Sequence, residues 1–469
     1  MSIARRPFRL SQLLRSPRTV AWLLVLLGVW IGLATAVPQG GPTYPAVGAW
    51  RAAYPAIAPV VSLLGFHSAY VAPVFLGLLG LLALSTALCS WERTRVAIAV
   101  WRSVGVVDGE RVRRLEESPA YSVDVASVIA QGEDPLEHAE ATLRTLRLRV
   151  RRGPRLAEAH AGIWARFASP VFHWSLVGLF VVIPLGQLTI ASGLMGVPVG
   201  GSLLDEPSAY GVLDRGPLNQ SLSGLVVAVE EMPLALEVGG IDRGAAPLVT
   251  LTAPDGREVA RGHVYPNAAL RHGTLVVHMR DYGLALRITL ANEGEPVAVT
   301  EMLLDFDDDA SDGTTVAEIG LHADGGEEIA SARVSMPLER TKDGLVYRNL
   351  PADPRVRVEI TDTRTGEVSS AMLGQGEGAE TPAGALIVES IGYYARLGLV
   401  DDWSIPLVYA LFTIASVAVG VGLLVPHRSV LVLLAGSTGQ ERLHISVRHG
   451  RQDPGFAERV AEALKGEAG

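Results

Sequence analysis

The sequence is poor in cysteine and in charged residues. Among 469 residues Cys89 is the single cysteine, and Asp, Glu, Lys and Arg together make up 19%. One thiol can form neither an intramolecular disulfide nor a C-x-x-C redox pair, so dithiol chemistry within this chain is excluded. With a mean hydropathy of +0.29, so few charges indicate a membrane protein that carries a large soluble part.

Several catalytic motifs are also missing from the sequence. It contains no phosphate-binding loop, no G-x-S-x-G nucleophile elbow and no Cys/His zinc array. Its paired carboxylates have nothing that distinguishes them from surface charge. No enzyme active site is therefore visible in the sequence.

Four apolar runs are long enough to cross a bilayer, which takes roughly 20 helical residues. They are 19–37, 70–89, 167–190 and 404–425. The first run could also be a secretory signal peptide, because a basic stretch precedes it and it ends in alanines. We favour a retained helix, since the run is longer than a usual signal core and Trp22 and Trp30 suit the membrane boundaries.

The distribution of arginine predicts the orientation. Arginines are concentrated before the first run, after the second, before the third and after the fourth, whereas 38–69 has only Arg51. By the positive-inside rule both termini and 90–166 are cytoplasmic, and 191–403 lies outside. We predict a multi-pass protein of the inner or plasma membrane, with its large domain in the periplasm if the cell has an outer membrane. The predicted segments are a basic N-terminus (1–18), span one (19–37), an outer loop (38–69), span two (70–89), a cytoplasmic segment (90–166), span three (167–190), an outer domain (191–403), span four (404–425) and a cytoplasmic tail (426–469).

The soluble segments differ in their predicted structure. In 90–166, Pro135 begins a helical pattern that leads into the alternating LRLRVRR, as in a small α/β unit. Its arginines suit the anionic headgroups of the lipid bilayer better than nucleic acid. In 191–403, short apolar or alternating runs separated by Asp-Gly pairs indicate an antiparallel sandwich or a pair of β layers. A short amphipathic helix is predicted at 453–464. The fold class is membrane α + β, with four transmembrane helices, a large extracytoplasmic antiparallel β domain and a small cytoplasmic α/β segment.

Two histidines stand at the ends of the predicted spans. His173 lies near the start of span three, between Phe172 and Trp174, and His427 directly follows span four. The predicted topology places both near the cytoplasmic face at similar depth. A neutral imidazole is a common axial ligand of haem iron, so both are candidate haem ligands. From physical chemistry alone, anchoring at the hydrated interface is the simpler interpretation, and it also applies to His67 outside span two.

An acidic stretch, 305–312, partly matches a calcium-binding loop. Three of its residues and Glu318 fall at positions 1, 3, 5 and 12 of such a loop, but Asp312 replaces the invariant glycine and strand-like sequence flanks it. We favour a solvated acidic loop.

The layout of spans and three motifs resemble the ResB/CcsB family of cytochrome c biogenesis proteins. The motifs are LSTALCSWERTR at span two, RRGPRLAEAHAGIWARFASPVFHWSLVGLF around span three and VPHRSVLVLLAG after span four. By this resemblance the family's membrane histidine corresponds to His173, and a second haem-contacting position corresponds to His427. Both are therefore expected as ligands of the iron of a transiently bound haem.

The resemblance implies a membrane subunit of a cytochrome c maturation complex. Such proteins act with a CcsA-type, tryptophan-rich membrane partner that handles haem, and apocytochrome c receives the haem. The eight tryptophans of this chain are scattered, so it would be the scaffold half of the complex, at most one subunit of a haem lyase or synthase. The alternative from another class is a membrane-anchored β-domain binding or assembly scaffold without haem. A transporter has less support, because no span shows paired Gly/Pro interruptions.

Overall fold

The computed structural model divides into two compact units. The helical unit comprises Met1–Gln39, Ala56–Gly186 and Ser404–Gly469, and the β unit comprises Gly40–Pro55 and Gln187–Trp403. The residues that the structure describes are 13–41, 44–102, 109–117, 119–125, 134–219, 221–292, 294–306, 314–322, 328–337, 349–436, 441–449 and 453–465.

The elements of these residues are numbered in chain order. The helices are α1 (Pro17–Ala34), α2 (Pro45–Ala53), α3 (Ala58–Leu64), α4 (Pro73–Arg102), α5 (Gly109–Glu117), α6 (Pro135–Thr145), α7 (Ala168–Thr189), α8 (Ser404–Leu424) and α9 (Phe456–Leu464). The strands are β1 (Tyr121–Asp124), β2 (Arg149–Arg152), β3 (Leu156–Ala161), β4 (Ala191–Pro198), β5 (Ser202–Leu204), β6 (Val212–Arg215), β7 (Val226–Glu231), β8 (Glu237–Val238), β9 (Ile241–Asp242), β10 (Leu248–Thr252), β11 (Glu258–His263), β12 (Leu270–His272), β13 (Leu275–Asn292), β14 (Glu295–Leu304), β15 (Thr314–His322), β16 (Glu328–Pro337), β17 (Arg355–Asp362), β18 (Val368–Gly374), β19 (Gly378–Thr381), β20 (Gly384–Asp401), β21 (Arg428–Ala435) and β22 (Arg442–His449).

Four of these helices are long and apolar enough to cross a membrane: α1, α4, α7 together with the 3-10 turn Ile163–Phe167 before it, and α8. With the large antiparallel β structure described below, they confirm the predicted fold class. The helix of the second span runs on to Arg102, well past the apolar run. Hydropathy marks the part of a helix that suits lipid, whereas the helix itself continues through residues such as Glu92 and Arg95, which are good helix formers.

The first two spanning helices pack through one stripe of α1. Leu23, Leu27, Trp30 and Ala34 are buried at helical spacing, in a cluster that includes Phe66 and residues of α4. The Trp30 ring stacks on Phe66 with a centroid distance of 4.5 Å, and its Nε1 donates to the Ala69 carbonyl at 3.2 Å. The opposite side of α1 is exposed, as expected of a surface that faces lipid.

The soluble part of the helical unit is a five-stranded antiparallel sheet in the order β1-β22-β21-β3-β2. The helices α6 and α9 cover one face, where the fully buried side chains include Leu143, Val432, Ile445 and Val460. The helix α6 begins at Pro135, which confirms the helical pattern predicted there. Asp134 caps this helix by accepting a hydrogen bond from the Leu136 amide. The sequence predicts 90–166 and 426–469 as separate segments, but their strands form this one sheet.

The β unit is organised around two strands of 18 residues each, β13 and β20, which pair antiparallel along their length. They belong to a seven-stranded sheet with β4, β6, β12, β14 and β19. One half of this sheet shares a core with the sheet β11-β10-β7-β5, and the other half shares a core with the sheet β15-β16-β17-β18. The register shifts between Met279 and Asp281, where polar residues interrupt the apolar pattern of β13 and separate the two cores. Each half of the seven-stranded sheet thus forms one pair of β layers with a four-stranded sheet.

One of the predicted Asp-Gly turns lies within the residues that the structure describes. Asp255-Gly256 forms the turn between β10 and β11, and Gly256 has a φ of +81°, a conformation that favours glycine. The pairs at 312–313, 324–325 and 343–344 lie outside the described residues. So do residues 307–312 of the acidic stretch and residues 1–12 of the basic N-terminus.

Candidate functional site

His173 lies within the second turn of α7, and its ring is half-buried. The Nδ1 atom is 2.7 Å from the carbonyl oxygen of Ser169, one helical turn earlier. Because a carbonyl only accepts hydrogen bonds, Nδ1 must carry the proton, and the neutral ring keeps its lone pair on Nε2. Histidines that bind metals usually have this arrangement, in which the second ring nitrogen donates to a backbone carbonyl or carboxylate.

The backbone around His173 is tied to α4 by two side-chain hydrogen bonds. Arg93 Nη1 donates to the Ser169 hydroxyl at 2.9 Å, and Trp174 Nε1 donates to the Thr94 hydroxyl at 3.1 Å. The Phe172 ring meets the imidazole edge to face, with a centroid distance of 5.2 Å. The histidine is therefore held in position from the residues on both sides of it.

A cleft of about 300 Å³ adjoins Ser169 between α4 and the start of α7. Its lining includes Arg93, Arg166 and Glu92 together with apolar side chains. Two guanidinium groups next to an apolar wall suit a small anionic group, for example a carboxylate attached to an apolar body.

A bare metal ion has no ligand set here. Among the described residues no group of three or more His, Cys, Asp or Glu side chains could hold a metal ion. A single histidine suits haem better, because the porphyrin supplies the in-plane ligands and the protein adds axial ones.

His427 has different surroundings. It lies between α8 and β21, and its Nδ1 is 3.5 Å from Nη2 of Arg166. A guanidinium only donates, so Nδ1 accepts and the neutral ring carries its proton on Nε2. Ligation through Nε2 would require the other tautomer. Within the described part of the chain no hydrogen bond or ring contact joins His427 to His173.

Gly162 explains how His427 comes to lie beside Arg166. Ala161 of β3 pairs with Arg428 of β21, so the next residue faces the chain just before that strand. A Cβ atom on Gly162 would overlap the carbonyl oxygen of Pro426, and the φ of +64° also favours glycine. The sequence contains a glycine at this point, but it carries no signal that singles out Arg166.

Acidification should destabilise the fold through His427. Burial and then the charge of Arg166 lower the pKa of His427 from 6.5 to about 4. Between these values the unfolded chain binds more protons than the folded one, so the unfolding free energy falls as pH drops from about 6.5 to about 4. With allowance for solvent screening of a half-buried group, we expect a loss of about 1–2 kcal/mol.

Thermal unfolding of the purified protein in detergent, at about pH 7 and about pH 4.5, measures this loss. The variant His427→Asn keeps an acceptor for Arg166 but does not titrate, so its unfolding temperature should depend less on pH than that of the wild type. Equal dependence in both proteins would contradict the assignment.

The remaining candidate positions have structural partners. His67 is buried, with Nδ1 at 3.0 Å from the Pro38 carbonyl. In the β unit, Asp305 accepts hydrogen bonds from Tyr394 and Arg396 beside a cleft of about 520 Å³. Burial and the hydrogen bond to Asp305 raise the pKa of Tyr394, so this phenol stays protonated and is not a nucleophile at neutral pH.

Residues 18–461, nearly the whole chain, match the sequence model of the ResB-like family. The match includes His173, His427 and Gly162. No curated protein matches the chain significantly.

Proposed function

Since the chain belongs to the ResB-like family, which is associated with cytochrome c biogenesis, we propose that it is the haem-handling scaffold subunit of a cytochrome c maturation complex. It is a membrane protein with four apolar helices long enough to span the bilayer. In this proposal His173 binds haem at the membrane boundary. A CcsA-type, tryptophan-rich partner completes the complex, and apocytochrome c receives the haem.

The state of the His173 ring carries this proposal. The hydrogen bond from Nδ1 to the Ser169 carbonyl leaves the Nε2 lone pair for the iron, and the two bonds to α4 fix the helix at this point. Arg93 and Arg166 line the adjoining cleft and would neutralise the carboxylates of haem. Bound haem would supply the iron and the vinyl groups. This chain would supply His173 as an axial ligand and hold the haem at the membrane boundary.

Reduction of the apocytochrome cysteines must come from another protein. The chain has one cysteine, Cys89, and therefore no dithiol. We expect separate thiol proteins to keep those cysteines reduced while this chain and its partner present haem.

Visible absorption spectra of the purified full-length protein, alone and with its partner, test the proposal. Low-spin haem iron needs two axial ligands, and we expect the partner to supply the second, so the reduced complex should show sharp low-spin bands. In His173→Ala these bands should be lost or shifted to high spin, and added imidazole should restore them by occupying the vacated ligand position. The control is His322→Ala, which removes an exposed histidine at the end of β15.

Two outcomes would contradict the proposal. Identical haem content and spectra in the wild type and in His173→Ala would remove His173 from the haem site. No haem in any preparation, together with normal cytochrome c assembly in cells that carry His173→Ala, would favour the alternative of a β-domain scaffold without haem.

A further inference from the structure

A second cleft in the helical unit has features of a lipid site. It has a volume of about 680 Å³ and lies where β2 and β3 approach the ends of the spanning segments. We call it the basic cleft, and the side chains that define it are Trp101, Arg147, Arg149, Arg151, His160 and Trp164.

The charge of the basic cleft is largely uncompensated. In the antiparallel register of β2 and β3, the residue opposite Arg151 is Glu158, whereas the residue opposite Arg149 is His160. Among the described residues neither Arg147 nor Arg149 has an ion-pair partner, and no carboxylate lines the cleft. Other arginines near this sheet do have such partners: Arg144 with Glu140, Arg152 with Asp134, and Arg428 and Arg459 with Asp453.

The His160 imidazole is influenced by burial and by the charges of Glu158, Arg149 and Arg151. Burial lowers the pKa of this imidazole, and the charges of Arg149 and Arg151 lower it further, against the opposing effect of Glu158. An anion bound between these groups would relieve the repulsion among them.

The backbone of Arg147 is strained. It has a φ of +60° in the turn between α6 and β2, in the left-handed region that usually requires glycine after a helix. Arginine at such a position costs conformational energy that glycine would not. Strain of this kind is common where a side chain has a functional role, and here the side chain lines the basic cleft.

Two tryptophans place the basic cleft at the membrane boundary. Trp101 is 50% exposed at the end of α4, and Trp164 is 52% exposed at the start of the third spanning segment. Tryptophan is enriched at the level of lipid headgroups, where its ring contacts apolar chains and its N–H stays hydrated. The predicted orientation puts this boundary on the cytoplasmic leaflet, which is rich in anionic lipids that attract juxtamembrane arginines.

We propose that the basic cleft binds the phosphate headgroup of an anionic phospholipid. Arg147 and Arg149 contact the phosphate, and Trp101 and Trp164 contact the start of the acyl chains. A free phosphate or a haem carboxylate carries a negative charge like that of the lipid headgroup but has no acyl chains. Competition by inorganic phosphate or haem therefore distinguishes these ligands from a phospholipid. The inference does not depend on haem binding at His173.

Lipid titration of the full-length, delipidated protein tests the inference. Native mass spectrometry would compare the affinity for phosphatidylglycerol with that for phosphatidylcholine in the wild type, Arg147→Gly, the double variant Arg147→Gln/Arg149→Gln, and His173→Ala. Each arginine near the membrane surface contributes roughly 1 kcal/mol to the binding of anionic lipid. Each arginine side chain that a variant removes should therefore reduce the preference for phosphatidylglycerol about fivefold. Arg147→Gly should also unfold at the same temperature as the wild type or a higher one, because glycine relieves the strain at this position. His173→Ala should keep the full preference.

The matched control is Arg144→Gln/Arg155→Gln, which removes the same charge outside the basic cleft. Arg144 pairs with Glu140 on α6, and Arg155 lies in the turn at the far end of the β2–β3 hairpin. An equal loss of preference in this control, or no loss in the cleft variants, would overturn the proposal. Complete displacement of phosphatidylglycerol by equimolar inorganic phosphate or haem would show a site for soluble anions and would also overturn it.

Discussion

Cells in which His173→Ala replaces the wild-type chain should contain at least about tenfold less cytochrome c with covalently attached haem. Even the loss of a group that only orients a metal ligand costs roughly 10–100-fold in metal affinity or activity, and this change removes the proposed ligand itself. Staining of c-type cytochromes for haem, at equal amounts of this protein in the membrane, measures the effect.

Equal membrane amounts are expected because the substitution leaves the helix intact. The Ser169 and Trp174 bonds to α4 do not involve the imidazole, and alanine is a good helix former. His322→Ala should assemble cytochrome c as the wild type does. Normal haem staining in His173→Ala would show that the histidine is dispensable and that the scaffold without haem is the better interpretation.

Val432→Asp is expected to prevent stable folding of the helical unit. Val432 is fully buried in β21, where it pairs with Ala157 of β3 and Ile445 of β22. The change removes an apolar side chain from the core and buries a carboxylate without a partner, which should cost more than about 4 kcal/mol. This is a large fraction of the roughly 5–15 kcal/mol by which folded proteins are stable.

Accumulation in the membrane and thermal unfolding in detergent would report the loss. The matched control is Val299→Asp, the same substitution at a strand residue of β14 that is 51% exposed, where the expected change is within about 0.5 kcal/mol. A Val432→Asp protein that accumulates and unfolds like this control would show that the five-stranded sheet contributes little to stability.

The sequence predicts the fold class because its signals are local. A spanning helix is apolar over its whole length, so hydropathy locates it without knowledge of its neighbours. The strands of the β unit are also visible as local apolar or alternating runs. Asp255-Gly256 indicates a turn because the conformation of a turn depends on its own residues. The end of α4 at Arg102 was not predictable, since beyond Cys89 the helix no longer has an apolar pattern.

Contacts between distant parts of the chain were not predictable. Nothing in the apolar pattern of 428–435 shows that it pairs with both 156–161 and 442–449. The position of His173 could be read from its apolar surroundings, but the proton on its Nδ1 depends on the Ser169 carbonyl, which only the folded helix supplies. For the same reason the sequence predicts the same role for His173 and His427, whereas their hydrogen bonds in the structure require ring protons on different nitrogens.

The pairing of β3 with β21 makes the fold depend on the order of synthesis. β3 directly precedes the third spanning segment and β21 directly follows the fourth, so the two strands can meet only after α8 has returned the chain to the side of the membrane where β3 lies. Until then β3 has a free edge, which is a target for aggregation and proteolysis. A chain whose last span fails to insert therefore cannot complete the sheet, and this edge of β3 stays exposed.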